Sequence, residues 1–118
     1  MKLGSISENL NSEKRISITP ETAKKYIDLG FEVYLNSSYG SHLGFQDNKY
    51  KELNVKIFDD PKEVIKKSDL ILQLDLLDSD KNNLIKENQT FIGIFNPYIN
   101  KQKIEDLIKK KVNIFSLE

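Results

Sequence analysis

The stretch Val55-Lys56-Ile57-Phe58-Asp59-Asp60-Pro61-Lys62-Glu63-Val64-Ile65-Lys66-Lys67-Ser68-Asp69-Leu70-Ile71-Leu72-Gln73-Leu74 decides the fold of this chain. Two short apolar runs, Val55 to Phe58 and Leu70 to Leu74, bracket a segment with helical signals. Asp60 is placed to cap a helix, and Pro61 suits its first position because that N–H has no intrahelical partner. Glu63 stands three residues after the cap, which predicts a box-like arrangement, and Val64 and Ile65 supply the buried face. An apolar run, a capped helix and a second apolar run in immediate succession are the signature of strands laid in parallel with a helix crossing between them.

The same alternation continues in both directions. Further apolar runs lie at Lys2 to Ile6, Phe31 to Leu35, Phe91 to Phe95 and Val112 to Leu117, several of them near-continuous, as strands buried on both faces require. Thr19 and Pro20 open another helix, whose stripe of Ala23, Tyr26 and Ile27 runs to Gly30, a residue suited to a left-handed stop. Asn100 is placed to cap a last helix in which Ile104, Leu107, Ile108 and Val112 keep the 3.6-residue period. Shorter helices are expected at Asp47 to Leu53 and Asp80 to Glu87. The predicted fold is an α/β domain, an open and mainly parallel sheet of about six strands with helices on both faces, flavodoxin-like or Rossmann-like. With no repeat or linker, residues 1–118 form one unit. The final strand runs into the terminus, which leads us to expect a truncated chain.

Composition narrows the functions. The 118 residues carry eighteen acidic and eighteen basic side chains, so no long-range field draws in nucleic acid or an anionic membrane. There is no cysteine, which removes disulfides and thiolate chemistry. No run approaches the twenty apolar residues of a membrane span, and the start of the chain has too short an apolar stretch for a signal peptide. The expected location is the cytoplasm, without direct membrane insertion. One histidine and scattered carboxylates assemble no metal site.

Among eighteen basic residues only Arg15 is arginine. Lysine cannot reproduce the planar fork that grips a carboxylate or phosphate through two parallel hydrogen bonds. Arg15 therefore reads either as a site residue or as half of an interior ion pair that fixes the first loop against the rest of the fold. Gln73 and Asp75 follow the fourth strand and Asn96 follows the fifth, and ligands of open α/β sheets bind beyond those carboxyl ends. Arg15, Gln73, Asp75 and Asn96 are the candidates for one ligand crevice. The competing reading pairs Asp75 with Lys14 or Arg15 and leaves Asn96 to end its strand. Amides do not transfer protons usefully near neutral pH, so no residue of the crevice is assigned a catalytic role. His42, in the loop from Gly40 to Phe45, has no identifiable carboxylate partner and is expected to be exposed. The G-x-G-x-x-G fingerprint of dinucleotide sites is absent.

Several segments carry a resemblance that spans essentially the whole chain in order. They are Met1 to Gly4, Glu13-Lys14-Arg15-Ile16-Ser17-Ile18-Thr19-Pro20, Leu29 to Val33, Gly40 to Phe45 and Asp69 to Leu72. Together they resemble the N-terminal domain shared by alanine dehydrogenases and the alpha subunit of proton-translocating NAD(P) transhydrogenase. In the dehydrogenases the position of Asp75 is a lysine that binds the substrate carboxylate, and the position of Asn96 is a histidine acting as acid or base. Both are replaced here, although Arg15 matches the family's other carboxylate-binding residue. Transhydrogenase alpha subunits also lack that lysine and histidine, and they resemble Asn96-Pro97-Tyr98 in an aromatic-proline segment.

The resemblance thus implies the first lobe of the NAD(H)-binding component of a transhydrogenase. That enzyme exchanges hydride between NADH and NADP while a membrane component moves protons. It implies that NAD(H) is held mainly by a later lobe, that no metal is needed, and that this lobe alone is inactive. The implied partners are the remaining lobe and the NADP-binding and membrane components, which would hold the chain peripheral to the inner membrane. The alternatives are a free-standing flavodoxin-like module that grips a small anion through Arg15, and a lobe of an alanine dehydrogenase-like enzyme that has lost its catalytic residues.

Overall fold

The computed structural model describes residues 1–75, 77, 81, 84–94 and 101–116. Six strands form one sheet: β1 (Lys2–Ser5), β2 (Glu32–Asn36), β3 (Lys56–Phe58), β4 (Leu70–Gln73), β5 (Thr90–Gly93) and β6 (Asn113–Ser116). Their order is β3-β2-β1-β4-β5-β6, and every pairing is parallel, with Leu3 opposite Val33 on one side and Leu70 on the other. The four described α-helices are α1 (Pro20–Asp28), α2 (Asp47–Glu52), α3 (Pro61–Lys67) and α4 (Lys101–Lys109).

Each helix start has a local cause. Thr19 caps α1 in extended conformation, and its hydroxyl and that of Thr22 satisfy each other's backbone N–H groups, with Pro20 opening the helix. The chain then leaves α1 through Gly30 at φ +101°, where a Cβ would be strained. At α3 the Asp60 carboxylate accepts the Lys62 N–H at 2.9 Å, so the cap forms as expected. The expected box does not, because Glu63 lies one turn before Lys67 and its carboxylate turns to that ammonium, 3.9 Å away.

Side chains alternate across the sheet and build two cores. Ile71, Phe91, Val64, Ile65 and Leu107 belong to the core beneath α3 and α4. Leu3, Val33, Leu35, Ala23 and Tyr50 belong to the core beneath α1 and α2. The strand order reverses direction between β1 and β4, so helices that follow β1 and β2 lie on one face and those that lead to β4 and β6 lie on the other. Ile108 departs from its expected burial: it is 58% exposed while Leu107 beside it is fully covered. The period allows either residue to face inward, and the sheet selects Leu107. The helix expected over Asp80 to Glu87 falls partly on residues outside the described set, and from Leu84 the chain turns, with the Leu84 N–H donating to the Lys81 carbonyl. Asn100 also lies outside the described residues.

Candidate functional site

The point where β1 and β4 part company is the switch point of the sheet, where the two connecting loops leave in opposite directions and open a crevice. A cavity of about 170 Å³ lies there, lined by Glu8, Asn9, Gln73, Asp75 and Lys81 together with Ile6, Ser7 and Leu77. Its floor is a polar network that ties the carboxyl ends of β1, β2 and β4 together.

Gln73 is 2% exposed and uses both ends of its amide. Its Oε1 accepts the Ile6 N–H at 2.7 Å, and its Nε2 donates to the Ile6 carbonyl at 3.1 Å and to Glu8 Oε2 at 2.7 Å. An amide suits the position because it alone offers a donor and an acceptor in one plane for a neighbouring backbone. Ser5 Oγ lies 2.6 Å from the Leu72 carbonyl and 3.0 Å from Gln73 Oε1. The Tyr39 hydroxyl accepts the N–H groups of Ser17 and Ile18, which leaves it to donate across 2.8 Å to Ser5 Oγ. Burial, partly opposed by these bonds, pushes the Tyr39 hydroxyl up to about 12, so it acts as a structural donor at neutral pH. Next to this network, Asn36 closes the end of β2 by accepting the Ser7 N–H at 2.8 Å and donating to Ser7 Oγ at 2.9 Å.

Glu8 is the charged member. Only 8% of the residue is exposed, and its carboxylate accepts the N–H of Leu74 on one oxygen and that of Asp75 on the other. Burial pushes its pKa up to about 7; the two backbone donors pull the other way, and the carboxylates of Asp75 and Glu13 add to the rise. A carboxyl whose pKa lies near neutrality can hold or release a proton under ordinary conditions. Sequence reasoning passed over Glu8. The available signal was its place directly after the first strand, at the same edge as Gln73, but nothing local separates it from the exposed acids that follow.

The sequence candidates divide. Gln73 and Asp75 line the crevice. Arg15 does not line it: its side chain is 69% exposed, and Nε and Nη2 grip the two oxygens of Glu13 at 3.0 and 2.8 Å. The Arg15 fork is thus engaged by a carboxylate two residues away in an exposed loop, a pairing that is neither of those foreseen. Asn96 lies outside the described residues. His42 is exposed as expected, with Nε2 2.8 Å from the Lys14 carbonyl.

The described lining of the crevice carries Glu8 and Asp75 beside Lys81 and has no glycine, so among the described residues it lacks the glycine-rich approach that lets a backbone cradle a pyrophosphate in dinucleotide folds. Among the described residues no group of three His, Cys, Asp or Glu could hold a metal ion. What the crevice can do is hold a small polar group against a carboxyl that exchanges a proton.

A family model described as alanine dehydrogenase/PNT, N-terminal domain, matches residues 4–118. An NAD(P) transhydrogenase subunit alpha polypeptide of Rickettsia prowazekii is 31% identical over 122 residues, an alignment that takes in 100% of this chain and 32% of the relative. Among solved structures, the transhydrogenase from Sinorhizobium meliloti superposes with a TM-score of 0.90 at 21% identity, covering 98% of this chain and 34% of that one. An L-alanine dehydrogenase superposes with a TM-score of 0.90 at 16% identity, covering 98% and 32%. The chain spans about a third of the length of these proteins.

Proposed function

From the premise that the chain belongs to the alanine dehydrogenase/PNT N-terminal domain family, we propose that it forms the first lobe of the alpha subunit of an NAD(P) transhydrogenase. The observation that carries the reading is the alignment of the whole chain with a transhydrogenase alpha subunit polypeptide at 31% identity. The enzyme as a whole exchanges hydride between NADH and NADP, coupled to proton translocation by its membrane component. In this reading a lobe that follows residue 118 holds NAD(H), and the first lobe supplies one wall of the cleft and the surface on which that lobe sits. The remaining lobe and the NADP-binding and membrane components are its partners, and the assembly places it in the cytoplasm, peripheral to the inner membrane. Among the described residues no helix is long and apolar enough to cross a membrane.

The crevice supports this reading over the dehydrogenase one. A 2-oxo or 2-amino acid substrate would bring its carboxylate among Asp75, Glu8 and Lys81, a described lining with more acidic than basic side chains, which disfavours an anion. The small-anion module is disfavoured because Glu13 already occupies the Arg15 fork. The test is to express the uninterrupted gene product with its NADP-binding partner and to follow hydride transfer from NADH to an NADP analogue. Transfer without any pyruvate-dependent oxidation of NADH is expected. A stop codon directly after Glu118, or pyruvate-dependent turnover, overturns the proposal.

A further inference from the structure

Strands β1 and β4 are joined by backbone along only part of their length. They pair at Leu3 with Leu70 and at Gly4 with Ile71, whereas β1 with β2 and β4 with β5 each pair over four residues. Beyond Gly4, side chains take over the seam. Ser5 Oγ lies 2.6 Å from the Leu72 carbonyl, and the Gln73 amide spans the N–H and carbonyl of Ile6. Glu8 carries the join past the end of β4. Its Oε2 accepts the Gln73 amide at 2.7 Å and the Leu74 N–H at 3.1 Å, and its Oε1 accepts the Asp75 N–H at 3.2 Å.

Three donors converging on one carboxylate suit its ionised form, which only accepts. A proton on either oxygen weakens the N–H bonds which that oxygen receives, and the proton itself needs an acceptor. Gln73 cannot provide one by turning its amide over, because its Oε1 already holds the Ile6 N–H. Burial first, and then the carboxylates of Asp75 and Glu13, favour proton uptake and carry Glu8 up to about 7 against the pull of the two backbone N–H groups. Among the described residues, Lys81 across the cavity and the Tyr39 hydroxyl after β2 also face it.

We propose that Glu8 is a proton-operated clasp on the seam between β1 and β4. Ionised, it holds the start of the segment after β4 against the loop after β1; protonated, it releases Leu74 and Asp75. The crevice is what the clasp controls. Asp75, Leu77 and Lys81 in its lining follow from the clasped residues, while Ile6, Ser7 and Asn9 belong to the β1 side. Acidification therefore loosens one part of the lining against the other, and the strands themselves stay held by their backbone ladders. The same proton removes a buried charge, so local opening and global stability move in opposite directions with pH. The device needs only residues of this chain and is independent of the family's activity.

Backbone amide exchange of the 118-residue chain, followed by NMR from pH 5.5 to 8.5 and corrected for the intrinsic pH dependence of exchange, tests the clasp. Leu74 and Asp75 are expected to lose protection by about fivefold or more as pH falls through the Glu8 transition, because charge-assisted bonds give way to weaker ones. Amides in the ladder between β1 and β2 are expected to keep theirs. Glu8→Gln, which cannot ionise, is expected to show low protection at both positions across the whole range. Asp75→Asn removes a repelling carboxylate and is expected to move the midpoint read at Leu74 to lower pH. Protection of Leu74 and Asp75 that does not vary with pH overturns the proposal, and so does a native-like profile in Glu8→Gln. A loss shared equally by the β1–β2 ladder assigns the change to global unfolding and also overturns it. Should Glu8→Gln fail to fold, the midpoint in Asp75→Asn decides, and an unmoved midpoint overturns the clasp.

Discussion

Glu8 is a residue whose proton affinity the fold moves into the range of ordinary pH. Its carboxyl, ordinarily near 4.5, is carried up to about 7 chiefly by burial, so in the folded protein the ionised form is penalised relative to the unfolded chain. The sign follows: the stabilisation associated with the protonated form is complete below about 4.5 and is lost as pH rises through about 7. The loss amounts to about 3 kcal/mol at most, from a shift of that size. Glu8→Gln cannot ionise, and it also leaves one of the Leu74 and Asp75 N–H groups without an oxygen, at a cost independent of pH. Urea unfolding of both proteins from pH 4.5 to 8.5 is expected to show the native protein losing stability relative to Glu8→Gln as pH rises. A constant difference across that range refutes the assignment of the shift to Glu8.

At the scale of elements, two glycines decide how helices join the sheet. Gly30 ends α1 at φ +101° with nothing within 4 Å of where a Cβ would lie. Gly30→Ala is therefore expected to cost roughly 1 kcal/mol from conformation alone, measured as a shift in the denaturation midpoint without a change in slope. Gly4 in β1 is different. A Cβ there would sit 1.9 Å from Ser68 Oγ and 3.0 Å from Val64 Cγ1, so α3 could not lie against the strand at its present distance. Gly4→Ala is expected to destabilise by roughly 1–3 kcal/mol through overpacking. Combining it with Ser68→Gly, which removes the obstructing hydroxyl, should recover on the order of 1 kcal/mol relative to the summed single changes. Additivity in that double-mutant cycle would show that the two positions do not collide.

For the molecule as a whole, the crevice at the sheet's switch point is small, and its described lining carries two carboxyl groups beside Lys81. Residues 1–118 alone are expected to show no micromolar affinity for NADH by calorimetric titration and no transfer of hydride. A dissociation constant in the micromolar range would mean that the nucleotide finds a site the crevice geometry does not offer. The equal numbers of acidic and basic side chains give no long-range attraction to add to such binding.

Periodicity and punctuation by themselves determined the parallel α/β class, the six strands and the starts of α1 and α3. These are local matters: Thr19-Pro20 and Asp60-Pro61 act on backbone groups within a turn, and buried parallel strands need continuous apolar runs wherever they lie. The sequence also placed Gln73 and Asp75 past a strand's carboxyl end, and the crevice does form at that end, although Gln73 is the last residue of β4 itself. Only the tertiary structure decided which strands are neighbours, and that decision made Glu8 a buried partner of Gln73, 65 residues away. It also left Arg15 to Glu13 and turned Leu107 rather than Ile108 inward. Burial, proton affinity and uncovered surface depend on what the whole chain brings near a residue, and a local pattern of residue types carries no record of that.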